Sequence, residues 1–317
     1  MRLRPLALLS TLAVSAMLLA GCAGSSSPNP SSSSTPGASG DVCSQAVKPG
    51  AVSDSVKITG DFGTPSTATF ELKQKVKDLQ RTVVSKGDGA TIKKGDYVTY
   101  AISAFDTETG KRIGDLGYKA DEILPQNVLA NQTLAQVIGC VPLGTRIAAA
   151  FPAQQGGTGS QVYIIDVLKT SPTAAWGKDQ APVDGMPTVK LASDGEPAIT
   201  IPKTDAPADL KISVLKEGDG GAVADGDTTL LQYYGVTWAD GKSFDSSWKN
   251  GEPITVPGNA YVPGFVKALA GQKVGSQVLV VIPPSEGYGD KAQGSIPANS
   301  TLVFVIDILA TQHVAAG

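Results

Sequence analysis

The stretch TTLLQYYGVTWADGKSFDSS, residues 228–247, decides how the rest of the chain is read. Its first nine residues are Thr, Leu, Tyr and Val around one Gln and one Gly, the composition of a β-strand. The run starts after Gly226-Asp227 and ends before the turn pair Asp240-Gly241. Residues 276–282 form a second strand, stopped by Pro283-Pro284, which cannot donate ladder hydrogen bonds. Residues 302–309 are nearly all apolar and form a central strand. Ahead of both, residues 265–270 suit one or two helical turns, entered through Pro263-Gly264 and ended by Gly271. Short antiparallel strands with one brief helix define the class α+β.

This pattern occurs twice. Gly87-Asp88-Gly89 returns as Gly218-Asp219-Gly220, an offset of 131 positions (87 to 218). Gly95-Asp96 and Gly226-Asp227, Gly110-Lys111 and Gly241-Lys242, Gly144 and Gly275, and Pro152 and Pro283 keep that spacing. A constant offset through five anchors marks two copies of one fold. Residues 162–166 then match residues 303–307 at an offset of 141, so the first copy is ten residues shorter between Pro152 and Gln161. The expected division is a first domain over 43–170, a Pro, Gly and Asp-rich linker over 171–204, and a second domain over 205–313. Within the linker, Ala198-Ile199-Thr200-Ile201 offers the second domain a leading strand.

Composition narrows the chemistry. The 317 residues are 41% hydrophobic and 17% charged, enough apolar material for packed cores. The net charge is −3 with scattered Lys and Arg, which argues against nucleic acid as a partner. The one histidine, His313, reads as a solvated tail residue, so an imidazole-driven nucleophile is not expected. Three distant cysteines without CxxC or HExxH leave no evident metal site, and no cofactor is expected.

The N-terminus reads as an address. Arg2 and Arg4 precede an apolar run from Leu6 to Ala20, a secretory signal over 1–21. Its ending, Leu19-Ala20-Gly21-Cys22, resembles the bacterial lipobox, which implies that Cys22 is acylated and becomes the new first residue. Each buried methylene of such a lipid adds ~0.8 kcal/mol, so a multiply acylated cysteine anchors durably to a bilayer. Residues 22–42, rich in Ser, Gly and Pro, form a disordered flexible tether. The expected location is the extracytoplasmic face of the cell membrane. There Cys43 and Cys140 form an even, oxidisable pair, read either as a disulfide or as two separate buried thiols.

The second copy resembles the FKBP-type peptidyl-prolyl cis–trans isomerases, the macrolide-binding class. The residues that carry the resemblance are Gln232-Tyr233-Tyr234-Gly235 and the run 240–247 with its Phe244-Asp245. They continue with Tyr261-Val262-Pro263-Gly264-Phe265, Glu286-Gly287-Tyr288-Gly289, Ile296-Pro297 and the run 301–304. The resemblance implies a curved antiparallel sheet wrapped over a short helix in each copy. It also implies an aromatic pocket with Tyr233, Phe244 and Phe304 as walls and Phe265 as floor. Asp245 would orient Tyr233, the Val262 backbone N–H and the Tyr288 hydroxyl would hold peptide carbonyls, and Tyr261 and Ile296 would line the entrance. The family usually carries Trp at the floor; Phe265 leaves more volume, which is expected to weaken macrolide binding or shift substrate preference without abolishing turnover.

At the same offset, Tyr233 becomes Ile102, Phe244 becomes Ile113, Asp245 becomes Gly114, Val262 becomes Asn131 and Phe265 becomes Leu134. The missing ten residues remove any counterpart of Tyr288, and only Tyr163 keeps an aromatic, opposite Phe304. The first copy is therefore expected to be folded and catalytically silent. Three functions compete: an isomerase acting on proline-containing segments of exported proteins, a chaperone-like client-binding lipoprotein with incidental isomerase activity, and a structural envelope lipoprotein.

Overall fold

The computed structural model describes residues 42–129, 133–154, 159–258 and 260–314. The signal, Cys22, the tether up to 41 and Asn131 lie outside the described residues. The first half opens with α1 (Val42–Gln45), α2 (Ala51–Ser55) and the hairpin β1 (Lys57–Thr59) and β2 (Thr67–Thr69). It continues through β3 (Gln80–Ser85), β4 (Tyr97–Asp106), β5 (Arg112–Leu116), β6 (Gln126–Asn127), α3 (Thr133–Ile138), β7 (Arg146–Phe151) and β8 (Gln161–Ser171). The second half runs β9 (Lys178–Asp179), β10 (Thr188–Leu191), β11 (Pro197–Thr200), β12 (Lys211–Glu217), β13 (Thr228–Thr237), β14 (Ser243–Ser246), α4 (Ser247–Asn250) and β15 (Ile254–Val256). It closes with α5 (Pro263–Leu269), β16 (Gln277–Ile282) and β17 (Leu302–Gln312).

Both halves build an antiparallel sheet of the same strand order. In the first it reads β5-β4-β8-β7-β3, with β6 also on β4; in the second β14-β13-β17-β16-β12-β9, with β15 also on β13. The pairings agree residue by residue. Ile102 sits opposite Ile165 and Ala104 opposite Tyr163, as Tyr233 sits opposite Ile306 and Gly235 opposite Phe304.

Each sheet is covered on both faces, which is why its central strands lack polar alternation. In the second half α5 covers one face, packing Phe265 and Leu269 against Val278, Val280 and Ile306. The other face, with Leu279, Val281 and Val303, is covered by Met186, Val189, Ile199 and Ile201. The segment 171–204 is thus no free linker: β9 joins the sheet, and β10 pairs with β11 as a lid. In the first half β1–β2 plays that part, with Ile58 and Ala68 packing over Ala148 and Ile164. The hairpins keep the repeat's offset of 131, Lys57 against Thr188 and Thr67 against Ala198. The periodicity therefore starts before the anchors that revealed it, and residues 188–200 are the second copy's opening.

Two boundary expectations change. Val42, placed in the tether, is 2% exposed and packs with Ile138 in the first core. Beside it Cys43 and Cys140 form a disulfide that fastens α1 to the turn after α3. At the other end His313 is exposed, as expected, yet it is also tied down. Its Nδ1 lies 2.8 Å from Asp227 Oδ2, its Nε2 lies 3.9 Å from Asp121, and its backbone N–H donates to the Asp121 carbonyl. Together with a small apolar cluster of Tyr97, Leu124, Leu230, Leu309 and Ala310, these contacts join the halves.

Candidate active site

Strand β13 carries Tyr233 on its α5-facing side, and its neighbour β17 carries Phe304 on the same side. The edge strand β14 brings Phe244 to Phe304, with ring centroids 5.4 Å apart and nearly perpendicular. From α5, Phe265 reaches the middle with 0% exposure, 5.2 Å from Phe304 and 6.4 Å from Tyr233. Tyr261, just before the helix, stacks on Phe265 at 4.7 Å. Five rings from four chain segments thus pack into one aromatic cluster, in edge-to-face and stacked contacts that add to burial.

Close approach of the two walls requires Gly235. A Cβ there would fall 2.7 Å from Phe244 and 2.8 Å from Phe304, so a larger residue would push them apart. The first half has Ala104 at that register, opposite Tyr163. Gly235 appeared in the sequence only as part of a motif; its packing role depends on two rings that meet over it.

The polar side of the aromatic cluster is a pair. The Tyr233 hydroxyl donates to Asp245 Oδ2 at 2.5 Å, while Asp245 Oδ1 accepts the Ser246 N–H at 2.8 Å. Ser247 fixes the strand beneath: its Oγ accepts the Tyr233 N–H and donates to Gln232 Oε1. Burial raises the pKa of Tyr233 far above that of free tyrosine, and the hydrogen bond and charge of Asp245 push in the same direction. The hydroxyl therefore stays protonated at alkaline pH. The kcat/KM of the isomerase activity that the resemblance implies should stay flat up to pH about 10, where free tyrosine ionises. A fall in activity near that pH that disappears in Tyr233→Phe would contradict this assignment.

The other expected residues fall as follows. Val262 caps α5, its carbonyl accepts the N–H groups of Phe265 and Val266, and its own N–H has no acceptor among the described residues. Tyr288 is exposed on the loop after the turn Pro284–Glu286, near enough to Tyr261 to influence its ionisation. Glu286 in that turn pairs with Lys267 of α5, tying loop to helix. Ile296, expected at the entrance, is 5% exposed and belongs to the same apolar cluster as Tyr233, Phe265 and Phe304, with its backbone paired to Gln293.

The arrangement is an apolar aromatic cluster with the Val262 N–H and the exposed Tyr288 hydroxyl at its margin. Its side chains can strip solvent from a bound group and hold its carbonyls; the rings around it supply no nucleophile.

Comparison with known proteins agrees. The family model described as FKBP-type peptidyl-prolyl cis-trans isomerase matches residues 220–309. A probable FK506-binding protein of Corynebacterium glutamicum is 36% identical over 115 residues, covering 36% of this chain and 98% of the relative. An FK506-binding protein of Streptomyces anulatus is 35% identical over 119 residues, 36% of this chain and 96% of that protein. The FKBP-type isomerase FkpA of Escherichia coli is 40% identical over 100 residues, 32% of this chain and 37% of the relative. The chain belongs to the FKBP-type peptidyl-prolyl cis–trans isomerase family. It is an isomerase of X–Pro bonds.

Proposed function

We propose that this isomerase works on exported proteins from a lipid anchor at Cys22, on the outer face of the cell membrane. The catalytic unit is the second of two FKBP-like domains and takes in the lid strands from about residue 172 to 313. The convergence of five rings on the Tyr233–Asp245 pair is the observation that carries this reading.

The barrier to X–Pro rotation, ~18–20 kcal/mol, comes from amide resonance. Twisting removes that resonance and leaves a less polar carbonyl and a pyramidal nitrogen. A dry aromatic hollow disfavours the polar planar amide and accommodates the twisted one, so binding is strongest at the transition state. Phe244, Phe304 and Tyr233 hold the proline ring from the sides, and Phe265 closes the floor. Tyr261, stacked on Phe265 and edge-on to Tyr233, lines the entrance. The Val262 N–H and the Tyr288 hydroxyl hold the flanking carbonyls and leave the prolyl bond free to turn. Phe265 at the floor also suits a macrolide less tightly than the larger indole would.

A protease-coupled assay with a Leu-Pro tetrapeptide tests the roles. Tyr288→Phe removes one hydrogen bond and should lower kcat/KM about tenfold, the equivalent of ~1.4 kcal/mol. Unchanged kinetics in that variant would remove Tyr288 from the site. Cys22→Ala should move the protein from the membrane fraction to the soluble one; membrane retention would rule out the anchor.

A further inference from the structure

The lid hairpin of the second half lies outside residues 220–309, the extent of the family match, yet it braces the strand that carries Phe244 and Asp245 at both ends. Ahead of β14, the Trp238 Nε1–H donates to the Thr204 carbonyl at 3.2 Å, and Ile201 packs on the Gly241 turn. Beyond β14, the lid's own turn lies against α4. There Gly195, at φ +98°, comes so near Ala174 and the Trp248 ring that a Cβ would fall 2.8 Å from one and 3.0 Å from the other. Ala174 is a firm backstop, because the N–H of its neighbour Ala175 donates to the buried Asp307 on β17 at 2.8 Å. The turn is thus wedged between the central sheet and the indole of Trp248.

What the lid braces is short and weakly fixed by its own backbone. Strand β14 has four residues, lies at the edge of the sheet, pairs with β13 alone and carries an irregularity opposite Gly235 and Val236. Asp245 is exposed, so burial does not hold its carboxylate in place. Its position comes from the residues that follow. Ser246 gives its N–H to Asp245 and caps α4 by accepting the Lys249 N–H. Ser247, 0% exposed, accepts the Tyr233 N–H and donates to Gln232. Trp248 comes next in the chain, and through it the lid bears on this network. Supporting contacts of this kind keep a reactive geometry only when they are themselves locked by packing.

We propose that Trp248 is a positioning residue of the isomerase, through which the lid turn at Gly195 holds Asp245 and Tyr233 in register. The turn keeps α4 seated, α4 keeps Ser246 and Ser247 in place, and these fix the carboxylate 2.5 Å from the Tyr233 hydroxyl. The lid therefore belongs to the catalytic unit and does more than cover an apolar face. The inference rests on the reading above that places Tyr233 and Asp245 in the site.

The test uses the full chain and a Leu-Pro tetrapeptide enriched in the cis form, with the melting temperature measured alongside. Trp248→Ala should lower kcat about tenfold and leave KM within about twofold, because the surrounding rings stay in place while the Tyr233–Asp245 pair loosens. Trp248→Phe keeps a ring against the lid and should hold kcat within about threefold of the unaltered protein. Gly195→Ala pushes on the indole from the lid side, away from the substrate, and should lower kcat about threefold. Adding Trp248→Phe to it removes Cη2 and Cζ2, the ring atoms that the new methyl would meet, so the double variant should turn over faster than Gly195→Ala alone. Such a recovery is not produced by lost stability. Should Trp248→Ala not fold, the comparison of Gly195→Ala with the double variant decides. Trp248→Ala with kcat within about twofold of the unaltered protein, or a double variant no faster than Gly195→Ala, would overturn the proposal. Full turnover in Asp245→Ala would instead remove that carboxylate from the site, and the compensation between positions 195 and 248 is read independently of it.

Discussion

Replacing Arg146 by Met should destabilise the first half by about 3–5 kcal/mol, the cost of leaving a buried charge without its partner. Asp166 on β8 is 0% exposed and receives Arg146 Nε and Nη2 at 2.6 and 2.7 Å. The same guanidinium donates to the carbonyls of Gly60 and Asp61 at 2.7 Å, and Asp166 accepts the Gly63 N–H. These bonds fasten the β1–β2 lid to the sheet, so their loss strips the lid and exposes the apolar face beneath it. The second half solves the same problem without a direct ion pair. Asp307 accepts Gln277 Nε2 at 2.7 Å and the Ala175 N–H at 2.8 Å, and burial raises its pKa. Neutralising both partners in Arg146→Met/Asp166→Asn should therefore recover part of the loss. All three tryptophans, Trp176, Trp238 and Trp248, lie in the second half. Urea unfolding followed by far-ultraviolet circular dichroism should show an early transition absent from tryptophan fluorescence. Coincident, unshifted transitions would refute the prediction.

Phe244→Ala should lower isomerase kcat/KM about thirty- to hundredfold, ~2–3 kcal/mol of transition-state stabilisation. Phe244 is only half buried, so the fold survives its truncation better than that of Phe304. What disappears is one wall: water enters beside the proline ring, and Phe304 loses its edge-to-face partner. Phe244→Leu restores the apolar surface and should recover most of the activity, whereas a mere structural role would show first in the melting temperature. Activity of the alanine variant within twofold of the unaltered protein would mean that the cleft works without that wall.

Much of this was readable from composition and spacing. The strands β13, β16 and β17 stand out because both their faces are buried and their residues are apolar or β-branched throughout. The turn glycines fall at a constant offset because positive φ is needed at the same bends in both copies, as at Gly95 and Gly226 or Gly144 and Gly275. Strand β12 escaped notice because its residues, Lys211 to Glu217, mix charge and apolar side chains at a half-open edge. Of the lid hairpin, β11 was legible as the leading strand at residues 198–201, whereas β10 escaped for a different reason. Its exposed faces carry Lys, Thr and Glu-flanked turns, and only a few apolar residues touch the sheet.

The order of residues alone determined that the chain repeats a fold, that the second copy holds the full set of aromatics, and that the first lacks most of them. These are properties of which side chain follows which. Tertiary structure decided that residues 171–204 form a lid, that Gly235 lets two rings meet, and that His313 bonds across the halves. Each of these depends on atoms distant in the chain coming within a few ångströms, and close packing, not local preference, sets those distances.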